Sequence, residues 1–174
     1  MPITITDLAT PRHGHVTIDG VEAPAMSDPA SPTERLARAF LERTLPKAQW
    51  THEAHLRVGL WHVVRFGRAG ALDRLRGAIR AYNAATGGAN TETSGYHETI
   101  TRFYVGLIAD FVARADATRT VDELADALVA TCGGRDLPHR HWSPARLSSP
   151  EARRAWVGPD LRPLDWDEED GTTP

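Results

Sequence analysis

The run Trp50-Thr51-His52-Glu53-Ala54-His55-Leu56-Arg57-Val58-Gly59-Leu60-Trp61-His62-Val63-Val64-Arg65-Phe66-Gly67 decides the fold. Leu56, Leu60, Val63 and Val64 recur at three- and four-residue intervals, the spacing that gathers side chains on one face of an α-helix. Thr51 supplies a side-chain oxygen for the orphan N–H groups of the first turn, and Gly67 supplies a stop. His52 leads the apolar stripe, four residues before Leu56. His55, Gly59 and His62 form the neighbouring stripe.

The same logic extends in both directions. Upstream, Ser31-Pro32-Thr33-Glu34 reads as a helix start, with serine as cap, proline in the first turn and glutamate closing a capping box. Leu36, Ala37, Phe40 and Leu41 continue that helix to about Arg43, before Pro46 ends it. Downstream, Leu72, Leu75, Ala78, Ile79 and Tyr82 predict a helix over 71–85, stopped by Gly87-Gly88. A fourth helix over 96–115 carries Ile100, Phe103, Leu107 and Phe111 inward, with His97, Thr101 and Tyr104 on its flank. Thr120-Val121-Asp122-Glu123 is a second capping box, opening a helix through Leu124, Leu128 and Val129 to Gly133-Gly134. Ser143-Pro144 and Ser149-Pro150 each predict a short helix.

The expected fold is all-α, a bundle of about five helices with an irregular N-terminal arm and short C-terminal helices. The arm spans 1–30, the helical domain 31–164 and an acidic, solvated tail 165–174. Within the arm, Ile3-Thr4-Ile5-Thr6 and His15-Val16-Thr17-Ile18 have the β-branched character of short strands.

Composition narrows the functions open to such a bundle. A charge of -3 over 174 residues leaves no basic field to attract nucleic acid. No apolar run approaches the roughly 20 residues of a membrane span, and the first residues lack the basic-then-apolar pattern expected of a secretory signal. A single cysteine, Cys132, excludes an internal disulfide, and before Gly133 it reads as a small buried hydrophobe. The Ala-, Arg-, Gly- and Asp-rich usage resembles that of a GC-rich bacterial genome, and the expected compartment is the cytoplasm.

Two polar runs carry the chemistry. In the first, His52 and His55 are three residues apart, so their Cβ atoms sit about 5–6 Å apart on one helix side. The second is Asn90-Thr91-Glu92-Thr93-Ser94-Gly95-Tyr96-His97-Glu98-Thr99, again where a loop becomes a helix. Three imidazoles, or two with a carboxylate, are a common means of holding zinc, iron, manganese or copper with one position left for chemistry. The partial positive charge of a helix start keeps such imidazoles neutral, and it also favours an anion.

The leading expectation is therefore a metal-dependent enzyme, hydrolytic or oxidative, acting on a small anionic molecule. His52, His55 and His97 hold the metal, and Glu98 or Glu53 is the fourth ligand or general base. Asn90, Thr91, Ser94 and Tyr96 orient the substrate, and Trp50 walls the site. This requires the two helix starts to face each other.

The alternatives use the same residues. A metal-free module would hold an anion at the helix starts or dock a partner, a second copy of the chain included. A purely structural reading makes the histidines caps, and glutamate is favourable in any first helical turn. His52-Glu53-Ala54-His55 is one residue short of the H-E-x-x-H metalloprotease motif and is not read as one. His62 reads as an interior residue, and the pairs His13/His15 and His139/His141 as loop residues. Arg102 reads as a surface ion-pair partner that an anionic ligand could also engage.

At Trp50 to Leu56, Asn90 to Thr99 and Ala152-Arg153-Arg154-Ala155-Trp156-Val157-Gly158-Pro159-Asp160-Leu161, the chain resembles a group of short bacterial helical proteins without an assigned activity. The resemblance covers 31–164 and implies no catalytic role for any residue. At the level of fold it is also similar to helical bundles of the DinB type, which implies a metal held by three histidines from different helices. The histidine spacing here departs from theirs.

Overall fold

The computed structural model describes Thr17–Ile18, Val21–Glu22 and residues 31–166. The fold is all-α. Four long helices form it: α1 (Pro32–Leu41), α2 (His52–Ala85), α3 (Glu98–Arg114) and α4 (Val121–Cys132). Two short helices follow, α5 (Pro144–Leu147) and α6 (Pro150–Arg154), with single 3-10 turns at Lys47–Gln49 and Leu137–Arg140. Strands β1 (Thr17–Ile18) and β2 (Val21–Glu22) pair antiparallel, Thr17 opposite Glu22 and Ile18 opposite Val21. The strand expected at 3–6, residues 15 and 16 of the other, and the acids from Asp167 to Asp170 lie outside the described residues.

The caps explain where most helices begin. The side-chain oxygens of Ser31, Thr51, Thr120, Ser143 and Ser149 each accept an N–H three residues on. At Thr120 the capping box is complete, because the Glu123 carboxylate accepts the Thr120 N–H at 2.8 Å. At Ser31 the expected box is half made. Glu34 Oε1 instead takes Arg38, one turn on, at 2.9 Å, an i,i+4 ion pair that competes for the same carboxylate.

The helices expected at 51–66 and 71–85 are one element with a break. Gly67 has φ 67° and ψ 176°, a region essentially closed to residues with a Cβ, and helix resumes directly on its far side. Gly67 thus re-aims the chain without a loop. Beyond it, Arg76 reaches Glu98 at the start of α3 while Arg68 lies against Gly106, so this half runs antiparallel to α3.

The main core joins all four long helices. Phe40 of α1, Leu56, Leu60, Leu75 and Tyr82 of α2, Ile108 of α3, and Leu124 and Leu128 of α4 are each at most 4% exposed. Two polar links fix its register. Tyr82 donates its hydroxyl to the Leu45 carbonyl at 3.0 Å, and Asp122 Oδ1 accepts the Thr33 N–H at 2.9 Å. A second cluster gathers Phe103, Trp142, Leu147, Ala152 and Val157 on the other side of α3. That is why α3 buries Val105 and Ile108 as well as the expected Phe103. Its single predicted stripe is two, because the C-terminal segment covers the face that α2 leaves open.

Candidate functional site

The first histidine run lines a cleft of about 420 Å³. Trp50, Thr51, His52, His55 and Leu56 form one side, at the start of α2. Ile100 and Tyr104 of α3 and Leu147 of α5 form another. Arg135, Pro138 and His139, from the segment after α4, close the third.

Its geometry follows from the Thr51 cap. Thr51 Oγ1 accepts the Ala54 N–H, and the Thr51 carbonyl lies 2.6 Å from His55 Nδ1. A carbonyl only accepts, so His55 carries its proton on Nδ1, and Nε2 is left with a lone pair. Nε2 has no hydrogen-bond partner among the described residues. The His55 ring lies over Trp50 at a centroid distance of 3.8 Å, and Trp50 stacks in turn on Phe40 at 4.4 Å. The imidazole is thereby held in one orientation by a hydrogen bond at one end and an aromatic face beneath it.

His52 sits edge-on to Tyr104 at 5.3 Å, and its Nε2 is buried with no hydrogen-bond partner. Loss of water around the ring holds its pKa below the ordinary 6.5, and the Arg135 charge lowers it further. Desolvation also lowers the pKa of His55; the Thr51 hydrogen bond opposes this, and His52 and Arg135 add to it. Both rings are neutral at pH 7. Burial, with Asp136 and Cys132 nearby, pushes the Tyr104 hydroxyl up to about 12, so it too stays uncharged. Its O–H is directed to the Gly134 carbonyl at 3.4 Å.

The second run is elsewhere, and its residues serve the fold. His97 is the N-cap of α3. Its Nδ1 accepts the Ile100 N–H, and its Nε2–H donates to the Leu147 carbonyl at 2.9 Å. Both nitrogens are spent, so His97 has no lone pair for a metal, and it does not line the cleft. The expectation that His97 joins His52 and His55 is corrected here: the α3 start turns its cap toward α5. Glu98 is buried, with its carboxylate filled by Arg76 Nε at 3.1 Å and by the Tyr96 hydroxyl at 2.7 Å. Burial pushes its pKa up, but the bonds from Arg76 and Tyr96 outweigh that and leave it below the ordinary carboxylate value.

The residues expected to orient substrate are similarly engaged. Asn90 Oδ1 accepts the Tyr96 N–H and an Asn83 amide N–H, while Asn90 Nδ2 donates to the Arg80 carbonyl. Thr91 Oγ1 accepts the Ser94 N–H, closing an exposed turn. The Tyr96 ring lies under Arg80 at 4.1 Å. None of these four residues lines the cleft. Glu53 belongs to an exposed chain of ion pairs, accepting from Arg57 at 2.8 Å while Arg57 also reaches Asp126 at 2.7 Å. Among the described residues, no group of three or more His, Cys, Asp or Glu side chains is placed to hold a metal ion.

Of the expected site residues, the structure brings together Trp50, His52 and His55. The cleft residues that sequence reasoning did not assign to a site include Arg135, Pro138, Ile100 and Leu147. Arg135 carried one faint signal, its closeness in sequence to Arg140 and Arg146, a basic cluster interrupted by acid. His62 is interior as expected, 1% exposed, with Nδ1 on the Val58 carbonyl. His141 is also buried, its Nδ1 shared between the Arg162 and Pro163 carbonyls, contrary to its reading as an open loop residue. Among the described residues, no helix is long and apolar enough to cross a membrane. The chain has no match among known protein families, curated proteins or solved structures.

Proposed function

We propose that the cleft binds a small anionic molecule through charge and hydrogen bonds, without a metal ion. The charge inventory of the lining supports this reading. Arg135 is a full positive charge, and no carboxylate lines the cleft among the described residues. Its neighbour Asp136 pairs with Arg140. The start of α2 adds partial positive charge at Thr51 and His52. A metal cation entering here meets the Arg135 charge and no carboxylate in the lining among the described residues; a carboxylate or phosphate meets a partner. Leu56, Ile100, Pro138, Leu147 and the Trp50 ring give the ligand an apolar surround.

Thermal unfolding with added ligands tests this. Small carboxylates or inorganic phosphate are expected to stabilise the protein, by about 2.7 kcal/mol at a hundredfold excess over Kd. Arg135→Ala is expected to abolish the effect. Zinc and manganese should give no such stabilisation. Near-stoichiometric transition-metal binding that is lost in His52→Ala and His55→Ala would reverse the reading in favour of a metal-dependent site.

A further inference from the structure

The fixed tautomer of His55 carries the reading of this cleft one step further. An anion site built only from donors accepts any anion of the right size. Here the lining contains a donor-only group, Arg135, and an imidazole whose donor is already committed. With Nδ1–H held by the Thr51 carbonyl at 2.6 Å, the nitrogen left for a ligand is an acceptor. The carbonyl enforces this choice, since it has no proton to give and the reversed tautomer would set two lone pairs against each other. Stacking on Trp50 at 3.8 Å restrains the ring from turning away.

We infer that the cleft selects anions that also carry a hydrogen-bond donor, such as a protonated phosphate or a hydroxy acid, with Arg135 taking the charge and His55 Nε2 accepting the O–H. An anion without a proton would set an oxygen lone pair against the Nε2 lone pair. The cost is that of one acceptor facing another where a donor would pair. This inference rests on the anion-binding reading of the cleft and adds to it the chemical class of the ligand.

Hydrogen phosphate and sulfate provide the test. Above neutral pH both are dianions of nearly the same shape, and only hydrogen phosphate has an O–H. Calorimetric titration of the full chain at about pH 7.5 is expected to show phosphate binding about tenfold or more tighter than sulfate. His55→Phe keeps a ring on Trp50 and removes the acceptor, so it should bring the two affinities together while binding persists. Arg135→Ala should abolish binding of both. Equal affinity of the unaltered protein for the two anions overturns the donor requirement and leaves the anion site standing. Binding of neither anion overturns both.

Discussion

The same residue type does opposite things at the two runs. His97 spends both nitrogens on backbone groups, so it is a structural joint between α3 and α5. His55 spends one and keeps one. The difference is invisible in composition and follows from which carbonyls lie within reach. Four histidines, 52, 55, 62 and 97, share a consequence, since desolvation lowers each below the ordinary 6.5. As pH falls below 6.5 the unfolded chain takes up protons before the folded one does, so stability is lost as pH falls through the window just beneath that value. The urea midpoint is therefore expected to drop between about pH 7.5 and 5.5, and His97→Asn, which retains a capping acceptor, should drop less steeply. A midpoint that is flat or rises toward acid contradicts this. Glu98 makes the companion case for the ion pair. Glu98→Gln leaves Arg76 without its charge partner and is expected to cost about 1.5–3 kcal/mol in denaturant melts, with ligand binding in the cleft unchanged.

Among the elements, α2 has the most consequential defect. Gly67 turns one long amphipathic run into two helical halves with separate tasks. The first carries His52 and His55 to the cleft, and the second carries Arg76 and Tyr82 to the α3 start and the Leu45 carbonyl. Gly67→Ala forces a Cβ into a backbone region that excludes it, and is expected to destabilise by about 1–3 kcal/mol. A wild-type melting temperature in that variant would mean that the break is not needed. The loop between α2 and α3 depends on glycine in the same way. Gly95 has φ 80°, and a Cβ there would collide with the Ala89 carbonyl oxygen. Gly95 gives the chain its route to Tyr96 and His97, and the run around it makes a polar clasp, pinned by Arg153 to the Gly95 and Tyr96 carbonyls.

Across the whole molecule, α3 is the shared wall of two cores. One face meets α2 and α4, and the other meets the C-terminal segment, where the Phe103 ring lies edge to face with Trp142 at 5.6 Å and tilted against Trp166 at 5.5 Å. Trp142→Ala, at a fully buried position, is expected to cost about 3–5 kcal/mol and to leave one cooperative transition. Two separated transitions would show that the second core melts independently. The cleft lies between these cores, bounded by α2, α3, α5 and the segment after α4. Its formation is thus tied to the C-terminal region, although its histidines come from the start of α2.

Much of this was legible in residue order, because helices are written locally. The stripe from Leu56 to Val64, the serine and threonine caps and the interruption at Gly67 all depend on spacing within a few turns, and all recur in the fold, with Gly67 breaking the helix where a stop was expected. The grouping of Trp50, His52 and His55 was legible for the same reason: one cap and one turn place them on one side of the cleft. Tertiary structure alone decided that Arg135, more than eighty residues from His52 in sequence, lines that cleft, and that His97 meets Leu147, fifty residues away. Those contacts depend on how helix faces are covered across the molecule. A short polar run at a helix start has the same local form whether its donors and acceptors end on a ligand or on the protein's own backbone.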